Sequence, residues 1–93
     1  MNLQSIHSHI ARFAARNNTT IEEVFRRRGI SPRTYRRLKV SAVTSPHTAA
    51  ALCQILADTG SHDRSVEFIN EAGKECVLLL KSDFTALTTH QQN

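Results

Sequence analysis

Apolar residues recur at Leu3, Ile6, Ile10, Phe13 and Ala14, at intervals of three and four. That spacing lays one apolar stripe along a helix of about four turns. Asn17 and Asn18 predict its end, because asparagine tolerates left-handed and turn geometry. In the next stretch, "TTIEEVF", Ile21, Val24 and Phe25 form the inward face of a second helix. Thr19 with Glu22, or Thr20 with Glu23, makes a capping-box start, and acidic residues suit a first turn. Arg26, Arg27 and Arg28 close this helix where cations oppose its dipole favourably, and Gly29 supplies the positive φ of a sharp turn. Ser31-Pro32 restarts a helix at once, with serine as N-cap and proline at the first helical position. Tyr35 and Leu38 are the inner edge of this third helix, which spans residues 32–39. After "VSAVT", Ser45-Pro46 repeats the start signal. Ala49, Ala50, Leu52, Cys53, Ile55 and Leu56 then fill a fourth helix that ends near Asp58-Thr59-Gly60.

Beyond Gly60 the period changes. "SVEFIN" alternates, with Val66, Phe68 and Asn70 on one face and Glu67 and Ile69 on the other. "EAGK" reads as a turn, and "ECVLLLK" as a second strand whose apolar residues lie on both faces. The leucines leave a helix open as an alternative; a hairpin is the favoured reading. The tail "TALTTHQQN" is polar, with Phe84 and Leu87 placed to pin its start. The expected fold is mainly α: a four-helix unit over residues 1–60, a β-hairpin or strand element over 61–82, and a polar tail over 83–93.

Ninety-three residues suffice for one domain with a limited core. Aromatics are scarce and tryptophan is absent, so the core is mostly aliphatic and self-association would enlarge it. The formal charge of +4 conceals an asymmetry. Residues 1–57 hold nine Lys/Arg against two Asp/Glu, whereas residues 58–93 hold three against six. From Val24 to Ala57 there is no acidic residue, so the first part suits a polyanion and the second another task. Cys53 and Cys76 lie in apolar segments without metal spacing and read as two buried free thiols rather than a pair. No segment resembles a signal peptide or a membrane span, so a cytosolic, nucleoid-associated protein is expected.

The basic charge concentrates in "RRRGISPRTYRRLK", where seven of fourteen side chains from Arg26 to Lys39 are cationic. Two short helices joined by a tight glycine turn, the second rich in arginine, read as a helix-turn-helix. Residues 19–57, with "IEEVFRRRGISPRTYRRL" and the later "TSPHTAAALCQIL", resemble the DNA-binding domain of the phage Cro and repressor family, also called the xenobiotic-response-element type. Val24, Ile30, Tyr35 and Leu38 match that family's buried positions, and Gly29 its turn glycine. Phe25 departs from the pattern, standing where alanine is usual at the helix crossing. Arg28 stands where a small or apolar residue is common. "GISPR" is also similar to the helix-turn-helix of the AraC family, whose domains carry two such units where this chain has room for one.

With Tyr35 and Leu38 inward, Pro32, Arg33, Arg36 and Arg37 face outward, and the resemblance places them in the major groove for base readout. Arginine there bonds bidentately to the guanine edge. Ser31, Thr34, Arg26, Arg27, Arg28 and Lys39 are the expected phosphate contacts. A merely solvated basic face is the competing reading, and the lack of carboxylates between Val24 and Ala57 speaks against it. The element around Val66, Phe68, Val77, Leu78, Leu79 and Leu80 is expected to join two copies, so that a homodimer reads a palindromic operator; the alternative is that it packs on its own helices. Together these features predict a transcriptional regulator, and the resemblance implies that it represses from an operator. Two other readings stay open. One is an antitoxin-type protein whose C-terminal segment holds a partner protein; the other is a binder of nucleic acid driven by charge alone.

Other residues tempt and carry less. Ser61-His62-Asp63 has the residue types of a hydrolase triad, but three consecutive side chains cannot form the relay. His7 and His9 point about 200° apart on a helix and have no further metal ligand beside them. His47, in the first turn of the fourth helix, is either a phosphate contact or an ordinary exposed histidine. No cofactor, no metal and no enzymatic activity are expected.

Overall fold

A computed structural model of the chain describes residues 1–79; Leu80, Phe84, Leu87 and the tail lie outside the described residues. Four helices, α1 (Leu3–Arg16), α2 (Ile21–Arg27), α3 (Pro32–Arg37) and α4 (Pro46–Asp58), precede two strands, β1 (Val66–Ile69) and β2 (Glu75–Leu78). Each helix begins at a side-chain cap. Asn2 accepts from the Ser5 N–H at 2.8 Å, Thr20 from Glu23 at 3.2 Å, Ser31 from Thr34 at 3.3 Å and Ser45 from Thr48 at 3.2 Å. These bonds satisfy amides that the first helical turn leaves unpaired. Thr20, not Thr19, is therefore the cap of α2.

Helix ends are equally local in origin. Gly29 takes φ 75°, and the Ile30 and Gly29 amides return to the Phe25 and Arg26 carbonyls at 3.0 Å each. This Schellman closure needs a left-handed residue just past the helix, and it turns the apolar Ile30 into the core. Gly60 closes α4 in the same way, with Ser61 bonded to Leu56 and Gly60 to Ala57 at 3.1 Å each. Asn18, at φ 56°, closes α1.

The α1 stripe of Leu3, Ile6, Ile10 and Ala14 is buried against Val24, Phe25, Leu52, Leu56 and the inner face of the hairpin. α1 packs on α2, α4 and β1; α4 covers both strands; α3 rests on α2. The strands pair antiparallel, with Val66 opposite Leu78, Glu67 opposite Val77, Phe68 opposite Cys76 and Ile69 opposite Glu75. The other edge of β1 is taken as well. Glu67 N–H donates to the Met1 carbonyl at 3.0 Å, and Ile69 N–H to the Ala42 carbonyl at 2.8 Å. Among the described residues β2 is consequently the outer strand.

This packing corrects the expectation for the hairpin. Val66 and Phe68 were expected to meet a second copy, but both are buried in the domain's own core, and Leu78 packs against it. Strand alternation sends these side chains inward, where α1 and α4 already cover them. Among the described residues of that set, Val77, 64% exposed, and Leu79, 43% exposed, remain on the surface.

Candidate nucleic-acid interface

α3 has only six residues, too few to hold a helix unaided. Its buried side fixes it. Tyr35 stacks on Phe25 of α2 with ring centroids 5.1 Å apart and planes 5° from parallel, and Leu38 is fully buried beside them. Phe25 thus fits the crossing where a small residue was the usual pattern, because Tyr35 offers a flat face to it. His7 of α1 extends the column, its ring 6.1 Å from Phe25. The far end of α3 is held by Gln4, whose side-chain amide donates to the Leu38 and Ser41 carbonyls at 3.2 Å each.

The outward side carries Pro32, Arg33, Arg36 and Arg37, all exposed, and Lys39 just beyond. Among the described residues none of these four cations has a carboxylate partner. The α2 arginines differ. Arg26 donates to both oxygens of Glu23 at 2.7–3.0 Å, and Arg27 donates to the same carboxylate at 3.3 Å. The bonds from Arg26, foremost, hold the Glu23 carboxyl below its usual range. Arg28 forms a two-pronged pair with Asp58, at 2.8 and 2.6 Å, joining the C-terminal ends of α2 and α4. The expectation that no carboxylate pairs these charges was therefore wrong for Arg26, Arg27 and Arg28. Glu23 lies one helical turn away, and Asp58 arrives through the fold. Ser31 is occupied too, since its hydroxyl caps α3 and meets the Thr34 hydroxyl at 3.0 Å.

The remaining titratable side chains have structural surroundings. His7 Nε2 is buried with no hydrogen-bond partner among the described residues. Burial, and secondarily the charge of Lys39, lower its pKa from the ordinary 6.5. His9 Nε2 lies 2.9 Å from the Thr59 hydroxyl, which itself donates to the Leu56 carbonyl, so His9 is the donor and ties α1 to the end of α4. Burial, then Arg12 and Arg16, lower its pKa as well. Asp63 accepts from the Ser65 hydroxyl at 2.6 Å and the Ser65 amide at 3.0 Å, bonds that lower its pKa and shape the loop before β1. Ser61 donates to the Asp63 carbonyl at 2.9 Å, so the Ser-His-Asp run builds a turn. His47 is exposed on a shallow groove with Arg28, Gln54, Leu78 and Leu79. Cys53 is buried, its thiol donating to the Leu78 carbonyl at 3.4 Å, and Cys76 is half-buried. Among the described residues no three His, Cys, Asp or Glu side chains gather as a metal site, and no helix is long and apolar enough to cross a membrane.

Sequence reasoning missed the Gln4 clamp and the Arg28–Asp58 pair, whose partners stand 34 and 30 residues apart or more. The Glu23 pairing was legible as an (i, i+3) and (i, i+4) relation on one helix. No family model, no curated protein and no solved structure matches this chain.

Proposed function

We propose that this chain is a sequence-specific DNA-binding transcriptional regulator, a repressor acting as a homodimer, with α3 as the helix that enters the major groove. The observation that carries the reading is the sorting of the arginines. Arg26 and Arg27 share the Glu23 carboxylate and Arg28 pairs with Asp58, while Arg33, Arg36, Arg37 and Lys39 face solvent together with no carboxylate partner among the described residues. Uncompensated charge on a helix braced from behind by Tyr35 and Leu38 suits a polyanion whose groove admits one helix. The resemblance to the Cro and repressor family points the same way. In this reading Arg33, Arg36 and Arg37 meet base edges, and Lys39 and Thr34 meet phosphate. Arg26 and Arg27 reach phosphate only by exchanging Glu23 for it.

Dimerisation would run through the outer edge of β2, whose main-chain groups face away from β1, with Val77 and Leu79 beside it. The same exposed edge is what favours the second reading, an antitoxin-type protein whose partner adds a strand there. Selection from a random duplex DNA library by the full chain separates them. An enriched palindrome with half-sites about one helical turn apart supports the dimeric regulator. Arg36→Ala then relaxes the preference at one base position. If no sequence is enriched, or if Arg36→Ala weakens every duplex alike, base readout by α3 is refuted.

A further inference from the structure

Val40 is 85% exposed, the most exposed large apolar side chain among the described residues. A single exposed valine is ordinary on a protein surface. This one differs in where it stands and how it is held. Helical bonding continues past the end of α3: the Val40 amide donates to the Arg37 carbonyl at 3.1 Å, and the Ser41 amide to the same oxygen at 2.9 Å. Val40 therefore follows Arg33 and Arg37 at the seventh and third positions along one helical face, opposite the buried Tyr35 and Leu38. Its turn is not frayed. Gln4 grips the carbonyls on either side of it, Leu38 and Ser41, and the Ser41 hydroxyl accepts from Val43 at 3.1 Å.

A rigid face that offers guanidinium groups and then two methyl groups needs a ligand with acceptors and an apolar group in a row. A partner surface that offers carboxylates alone would satisfy the arginines and leave the valine in water. The major groove of DNA presents both: guanine O6 and N7 as acceptors, and the C5 methyl of thymine as the apolar group. We infer that Val40 is a specificity residue that packs on a thymine methyl in each half-site, beside the bases met by Arg33 and Arg37. The inference rests on the DNA-reading function proposed above and adds a base identity to it. It also separates DNA from RNA, since uracil lacks that methyl and the A-form major groove is too narrow for side chains to read.

The test uses the full chain and the duplex it selects, with each thymine replaced singly by deoxyuridine, which removes one methyl and nothing else. At one position per half-site the replacement is expected to weaken binding by about three- to fivefold, the worth of one methyl group taken out of water. Val40→Ala is expected to bind the thymine and uracil forms of that position equally, while still discriminating the guanines read by arginine. Because Val40 is 85% exposed, the variant should melt at the wild-type temperature, which a thermal scan checks. Indifference of the wild type to every thymine replacement overturns the inference while leaving the DNA reading intact. So does a Val40→Ala protein that keeps the wild-type preference for thymine. If the wild type selects no sequence at all, the DNA reading fails first and this inference with it.

Discussion

The Arg28–Asp58 pair offers the sharpest test of how the cations divide, because the motif reading and the structure assign Arg28 different work. As a phosphate contact, Arg28→Ala would lower the slope of log affinity against log salt by about 0.9 and leave stability alone. As an interhelical bridge it does the reverse. The guanidinium meets Asp58 through two bonds, at 2.8 and 2.6 Å, with the side chains 38% and 48% exposed. Two unit charges about 4 Å apart attract by about 1 kcal/mol in water. Exposure on this scale leaves the pair screened, and exposed pairs measure about 0.2–1 kcal/mol in mutant cycles. The two-pronged geometry and the position of Asp58 at a helix C-terminus, where an unneutralised carboxylate opposes the dipole, favour the upper part of that range. For a domain of this size, 0.5–1 kcal/mol corresponds to a melting shift of roughly 2–8 °C. We expect Arg28→Ala to lower the melting temperature within that window and Asp58→Asn to lower it by less, because the second change also removes the carboxylate that opposes the α4 dipole. The double variant should show a coupling of about 0.5–1 kcal/mol, and that coupling should shrink in high salt. An Arg28→Ala protein that melts at the wild-type temperature and loses about one unit of salt slope would refute the structural assignment.

Three further outcomes follow from the same geometry. Nothing lies within 4 Å of a Cβ placed on Gly29, so Gly29→Ala should cost only the left-handed backbone at φ 75°, about 1–2 kcal/mol by thermal melting, and Gly29→Asn less; a neutral Gly29→Ala would mean that the turn does not take this conformation. The lowered pKa of His7 means the unfolded chain takes up the proton first as pH falls through 6.5, so this stability is complete above 6.5 and lost progressively below it. Glu23 and Asp63, also lowered, lose their contributions only in the more acidic carboxylate range. Melting followed from pH 7.5 to 5 should fall, and His7→Leu should flatten that fall in part, His9 keeping its share; an unchanged profile would clear His7 of the role. Val77→Lys combined with Leu79→Lys should convert a dimer to a monomer by sedimentation while keeping the wild-type helix content by circular dichroism, since both side chains are on the surface. A dimer that survives both substitutions excludes the β2 edge. Removing the whole hairpin is a poorer test, because it also strips Val66 and Phe68 from the core.

Much of the secondary structure was legible because its causes are short-ranged. The α1 stripe, the caps at Ser31 and Ser45 and the closure at Gly29 involve bonds spanning three to five residues, so they can be read directly off neighbouring letters. Strand alternation likewise set Val66 and Phe68 on one face and Glu67 on the other. The choice between Thr19 and Thr20 was not legible, because both offer a hydroxyl three residues before a glutamate and only the chain path from Asn18 separates them.

What periodicity left undetermined is the partner of each face. Alternation marks the inner side of the hairpin as apolar but carries no information on whether a second copy or the chain's own helices cover it. Packing of α1 and α4 settled that, with residues 1–2 and 42–44 lying along the free side of β1. The arginine run shows the same limit. Seven cations in fourteen residues are visible in the sequence, yet which of them remain without a carboxylate depends on Asp58, thirty residues from Arg28. Charge is a property of a residue, while its compensation is a property of the distance between two residues, and only the tertiary structure sets that distance.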